Sequence, residues 1–82
     1  MGLTMQMTMF TLPTPETSGH NDASMLDLLW AHMRPEDRVE HIRVRAGPGA
    51  MEVVLFLLAS DEATATEKAR DIQLRITLLF VR

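Results

Sequence analysis

The stretch VEHIRVRAGPGAMEVVLFLLA, residues 39–59, determines most of the architecture. In residues 39–46 apolar and polar side chains alternate, a pattern typical of a strand with one face in water. The polar members of that strand are His41, Arg43 and Arg45. Residues 47–49, Gly-Pro-Gly, predict a turn, and residues 51–59 predict a second strand. The stretch is therefore predicted to form an antiparallel hairpin.

The second strand of this hairpin is predicted to be central in its sheet. Its segment Val53–Leu58 is apolar on both faces, as expected for a strand that is covered on both sides. A third strand is predicted upstream, at residues 3–12, where side chains again alternate. One side of it carries Leu3, Met5, Met7 and Met9, and the other carries Thr4, Gln6 and Thr8.

A first helix is predicted at residues 23–33, after a loop at residues 13–22 that is rich in Pro, Ser and Gly. Asn21 or Asp22 is expected to cap it, and Pro35 to end it. Its apolar face is expected to contain Leu26, Leu29, Trp30 and Met33. This spacing favours a core position for Trp30.

A second helix is predicted at residues 61–80, with Ser60 or Asp61 as its cap. Asp71 and Arg75 are spaced to form an ion pair on its surface. Its apolar face recurs at Ala65, Ala69, Ile72, Ile76, Leu79 and Phe80. Residues 74–82 also alternate, so a fourth strand there is the alternative, but no turn signal separates them from the helix.

The predicted fold class is α+β, with elements in the order βαββα. We expect a three-stranded antiparallel sheet in the strand order 1-3-2, with two helices on one face. This order resembles the ferredoxin-like βαββαβ plan without its last strand. The resemblance is one of topology, carries no family motif, and so implies no particular function.

The first strand is the first candidate for a binding element. In the ferredoxin-like plan a fourth strand would pair with it, so its outer edge is expected to be free. An unpaired edge attracts other strands unless charge, proline or a bulge blocks it, and residues 3–11 contain neither charge nor proline. We therefore expect an interface at Met5, Met7 and Met9, most simply with a second copy.

A surplus of apolar side chains on the helices gives a second candidate interface. Leu74, Leu78 and Val81 lie off the main face of the second helix, and Met25 and Leu28 lie off that of the first. A two-layer domain of this size leaves some of them exposed, and contiguous exposed apolar surface marks interfaces. Leu74, Leu78 and Val81 are the predicted interface residues on the helix.

Composition narrows the classes of partner. The chain has 82 residues, room for one domain, and a net charge of −3, which argues against nucleic acid and against an anionic membrane surface. It has no cysteine, which excludes disulfides and fits a reducing, cytoplasmic location. The amino terminus shows no signal-peptide pattern.

No catalytic or metal-binding motif stands out. The three histidines, His20, His32 and His41, lack the spacing of metal ligands, so no metal and no cofactor is expected. We expect a non-enzymatic interaction protein, either a homo-oligomer or an accessory subunit. The alternative is a small-ligand sensor or cofactor-free enzyme, with His41 and Arg43 lining a cavity between sheet and helices.

Overall fold

The computed structural model of the protein describes residues 2–13 and 22–79. Residues 14–21 of the predicted loop, including His20 and Asn21, lie outside these residues, as do residues 80–82, whereas Pro13 and Asp22 belong to the flanking elements. The elements in chain order are β1 (Thr4–Pro13), α1 (Asp22–Ala31), a 3-10 turn (Pro35–Asp37), β2 (Val39–Gly47), β3 (Ala50–Ala59) and α2 (Glu62–Thr77).

The three strands form one antiparallel sheet in the order β1-β3-β2. This confirms the predicted α+β class and the central position of β3. All ten residues of β1 are in unbroken register with β3, from Thr4 opposite Ala59 to Pro13 opposite Ala50. Both β1 and β2 are edge strands, because the described sheet contains no fourth strand.

The β2–β3 hairpin turns at residues 48–49. Gly49 has a φ of 71°, a left-handed conformation that glycine adopts without steric cost. At the other end of the hairpin the register slips between Val39 and His41, so that Glu40 is an extra residue in β2. This bulge follows Arg38, which has a left-handed backbone with a φ of 57°. The bulge bends the outer edge of β2.

The core lies between one face of the sheet and the two helices. The buried side chains of β3 are its odd-numbered residues, which alternate strictly with half-buried even-numbered ones. They pack with side chains from both helices in one cluster, which includes Leu12, Met25, Leu29, Val53, Leu55, Leu57, Ile72 and Ile76. Both helices therefore cover the same face, and the other face of the sheet carries no described element.

Helix α2 begins as its sequence predicts. The Asp61 side chain accepts a hydrogen bond of 2.7 Å from the backbone N–H of Thr64, so Asp61 is the cap. The helix continues through Thr77, and Leu78 and Leu79 form a turn. Residues 74–77 are therefore helical, and the alternative of a fourth strand starting at Leu74 is wrong.

Helix α1 presents a different face to the core from the one predicted. Met25 and Leu29 are fully buried, whereas Trp30, the predicted core residue, is 41 % exposed. Most positions from Met25 to Met33 are apolar, so spacing alone does not single out one side of so short a helix. The sheet selects the side that contains Met25, so the prediction that Met25 lies on the surface is wrong.

Candidate functional site

The outer edge of β1 is the least protected part of the sheet. Nothing in the described chain pairs with that edge, and residues 3–11 contain no charged side chain. Met5, Met7 and Met9 project from the face away from the helices, and Met7 is 69 % exposed. The methionines proposed from sequence as interface residues are therefore accessible, next to a row of unpaired backbone groups.

A groove of about 400 Å³ runs between β1 and α2. Its strand wall is residues 7–10 of β1, and its helix wall is Glu62, Thr66, Ala69, Arg70 and Gln73. This edge groove occupies the position that a fourth strand takes in the ferredoxin-like plan. Thr8 Oγ1, in the strand wall, is buried and finds no hydrogen-bond partner among the described residues.

The helix wall of the edge groove carries one negative and one positive side chain. Glu62 and Arg70 are both exposed, and neither forms an ion pair within the described residues. Between them lie the small side chains of Thr66 and Ala69. At the far end, Gln73 Nε2 donates a hydrogen bond of 3.1 Å to the Thr11 carbonyl and ties α2 to β1.

The helix-free side of the sheet, here called the open face, is apolar over β1 and β3. Met5 lies opposite Leu58, Met7 opposite Phe56, and Met9 opposite Val54. The three β1 side chains are exposed and the three β3 side chains are half-buried. Contiguous apolar surface of this kind is unusual on a protein that functions alone.

The open face changes character at β2, where His41, Arg43 and Arg45 form a basic strip. His41 pairs with Phe56, Arg43 with Val54, and Arg45 with Glu52. The His41 and Phe56 rings are 5.5 Å apart between centroids. A concavity of about 310 Å³ joins the two halves of the face, lined by Met7, Arg43, Val44, Arg45, Glu52, Val54 and Phe56.

His41 and Arg43, the residues proposed for a ligand cavity, are exposed on the open face. The space between sheet and helices is instead filled by buried apolar side chains such as Leu55 and Leu57. The structure therefore presents His41 and Arg43 to a ligand on the other side of the sheet. β2 turns its charged side away from the helices of its own chain, so any ligand that contacts both residues lies on the open face.

The predicted helix interface is accessible where the structure describes it. Leu74 is 61 % exposed and Leu78 is 72 % exposed. Val81, the third residue of that prediction, lies outside the described residues. Leu74 follows Arg70 by four residues and so extends the groove wall along the outer surface of α2.

A largely buried ion pair joins α2 to the turn before β2, and no local sequence pattern predicts it. Arg75 donates two hydrogen bonds of 3.1 Å to the two carboxylate oxygens of Asp37, which is only 6 % exposed. It also donates to the His32 carbonyl at 2.8 Å and to Asp71 at 2.9 Å. We call the Asp37–Arg75 pair the clamp, because it fixes the end of α1 and the 3-10 turn against α2.

The clamp keeps Asp37 ionised. Burial acts to raise the pKa of Asp37, but the Arg75 hydrogen bonds, the Arg34 backbone N–H at 2.8 Å and the nearby positive charges outweigh it. The pKa of Asp37 is therefore below its ordinary value. The pKa of Arg75 is raised, mainly by its hydrogen bonds to Asp37. The clamp stabilises the fold, and neither of its two residues lines the edge groove.

Within residues 2–13 and 22–79, no group of three His, Asp or Glu side chains is placed to hold a metal ion. None of the described helices has the length and apolar character needed to cross a membrane. Comparison with protein-family models, with curated proteins and with solved structures finds no match for this chain.

Proposed function

We propose that the protein is a small, non-enzymatic interaction protein that assembles through the free edge of β1. The observation that carries this proposal is a strand of ten residues with no charge in residues 3–11, lying beside a groove that α2 lines on its other side. Native edge strands are normally blocked, and an unblocked one is the element that β-strand addition uses.

The partner proposed for this edge is a second copy of the chain. A two-fold axis through the middle of β1 would pair β1 with its copy and create a continuous six-stranded sheet, with all helices on one side. The same axis would run α2 antiparallel to its copy. Glu62 of one copy would then approach Arg70 of the other, twice, across the small residues Thr66 and Ala69.

Three features of the described residues support this assembly. After a two-fold rotation, the negative residue on the groove wall of one copy would face the positive residue on that of the other. The apolar residues Met7 and Leu74 flank the groove and would be partly covered. Thr8 Oγ1, which has no partner among the described residues, would gain neighbouring donors and acceptors. A cytoplasmic location is part of the proposal because the chain has no cysteine.

The test is the solution mass, measured by light scattering after size exclusion over a range of concentrations. We expect twice the chain mass of 9.3 kDa for the native sequence. Met7→Lys should shift the protein to the monomer, because two lysines would meet at the paired edges. A chain that remains at 9.3 kDa at every concentration would contradict self-assembly. An extended segment of another protein would then be the partner at the edge of β1.

His41→Lys is the matched control for Met7→Lys. Met7 and His41 lie on the same face, and both are opposite Phe56, one on each edge strand. The two variants therefore place a lysine opposite the same residue of β3, one on each edge strand. If both variants dissociate the dimer equally, the edge of β1 is not the interface.

A further inference from the structure

Pairing at the edge of β1 does not account for the basic residues of the open face, which lie beside its apolar ones. Its rows run from apolar to basic across the sheet: Met7, Phe56 and His41 form one row, and Met9, Val54 and Arg43 form the next. The chain carries more acidic than basic residues, 11 against 8. A basic strip beside an apolar surface is therefore a local feature that runs against the net charge.

We propose that the open face binds an amphipathic helix of another protein, one with carboxylates along one side of its apolar stripe. Neighbouring strands are about 4.8 Å apart, so β1 and β2 are separated by about 10 Å, close to the diameter of a helix. A helix that lies along β3 would thus contact the methionines with one flank and the arginines with the other.

The individual residues fit this occupant. Met5, Met7 and Met9 are unbranched and flexible, and such side chains adapt to apolar surfaces of different shape. Arg43 and Arg45 are exposed and form no ion pair within the described residues, so their guanidinium groups are available to carboxylates. The concavity of about 310 Å³ lies between these two sets and would take one apolar side chain.

Charge argues against a second copy stacked on the open face. Of the charged or basic residues in register on the face, one is a carboxylate, Glu52, and three are basic. Stacking two such faces would bring four arginines and two histidines together with only two carboxylates. An acidic partner helix removes this imbalance, whereas a second copy repeats it.

The site is on the face of the sheet and not at its edge, so this inference does not depend on the pairing of β1. The probe is a labelled helical peptide of about four turns, with leucines along one stripe and glutamates beside it. Its control replaces every glutamate with lysine and keeps the leucines. Fluorescence anisotropy should show the acidic peptide binding at least tenfold more tightly than the basic one.

The double variant Arg43→Glu and Arg45→Glu should reverse that preference. The double variant Asp27→Lys and Glu67→Lys, on the exposed surfaces of α1 and α2, is its control. It makes a charge change of the same size away from the open face and the edge groove, and it should leave the preference unchanged. Circular dichroism checks that each variant is folded. Light scattering on the same samples reports the dimer separately, so the two proposals can fail independently.

Four outcomes would overturn the inference. The first is that neither peptide binds. The second is that both peptides bind equally, which would reduce the face to a non-selective apolar surface. The third is that the double variant binds the acidic peptide as well as the native protein does. Binding to anionic lipid vesicles with no binding to the acidic peptide would also overturn it, in favour of a membrane surface.

Discussion

The two edges of the sheet, β1 and β2, are built in opposite ways. β1 is in continuous register with β3, carries no charge in residues 3–11, and contains no bulge. β2 carries Glu40, His41, Arg43 and Arg45, and has a register slip between Val39 and His41. Charge and a bulge are the devices by which proteins prevent an edge from pairing. The molecule thus protects one edge and leaves the other open.

The contrast extends to the elements around each edge. The segment that leads into β2 is fixed internally by the clamp, in which each carboxylate oxygen of Asp37 has a partner. The edge groove beside β1 instead contains charges and a hydroxyl group without partners among the described residues. The difference shows that the turn leading into β2 has its carboxylate paired within the chain, whereas the edge groove beside β1 has polar groups available to a partner.

The largest effect is expected from breaking the clamp on the β2 side. Asp37→Ala leaves Arg75 without its buried partner, and we expect the free energy of unfolding to fall by about 3 kcal/mol. Urea denaturation measures this loss. Asp71→Ala is the control, since Asp71 is 68 % exposed and its pair with Arg75 is expected to contribute about 0.5 kcal/mol or less. Equal losses in both variants would show that the clamp is an ordinary surface contact.

Acid should lower the stability of the fold through the clamp. β1, at residues 4–13, contains no titratable side chain. The pKa of Asp37 is lower in the folded chain than its ordinary value of 3.8. The folded state then binds fewer protons than the unfolded state in this window, so stability is fully present above pH of about 5 and falls as the pH drops below about 4.

Urea midpoints measured between pH 3 and pH 7 test this sign. Asp37→Asn should lower stability at pH 7 and flatten the acid dependence, because the titrating group is gone. The exposed Asp61 has a lowered pKa as well, caused mainly by its hydrogen bonds from Thr64, and contributes in the same direction. A native protein whose stability rises on acidification would contradict the account of the clamp.

The smallest effect is expected from the charges in the edge groove. Glu62→Arg or Arg70→Glu alone should weaken the dimer by about 1 kcal/mol, roughly fivefold, because each substitution breaks both symmetry-related pairs and each exposed pair contributes about 0.5 kcal/mol. The double variant should restore the native dissociation constant, since exchanging both charges recreates the pairs across a two-fold axis. Analytical ultracentrifugation measures all three. A double variant weaker than either single one would exclude the antiparallel arrangement of α2.

The fold was predictable to a large extent from local patterns. The apolar run Val53–Leu58 placed β3 at the centre, and Gly49 and Asp61 marked a turn and a helix start that the structure confirms. These features depend on neighbours in sequence. The buried side of α1 was not predictable, because Met25 and Trp30 are both apolar and only the position of the sheet decides between them.

The candidate site was predictable only in part, for a similar reason. Absence of charge in β1 is visible in sequence, and so is alternation in β2. Met7 and Arg43 lie on the same face of the sheet because of the registers in which β1 and β2 each pair with β3. The clamp joins residues 38 positions apart and left no local pattern. Contacts between distant segments set these features, and a single sequence does not report them.

Amide hydrogen exchange at two protein concentrations, resolved for β1 and β2 by NMR, tests the central claim most directly. The account predicts that the outward-facing amides of β1 exchange more slowly at the higher concentration, because they become paired with a second copy. Those of β2 should exchange at the same rate at both concentrations. Outward-facing β1 amides that exchange at one rate at both concentrations, or β2 amides that slow equally, would contradict it.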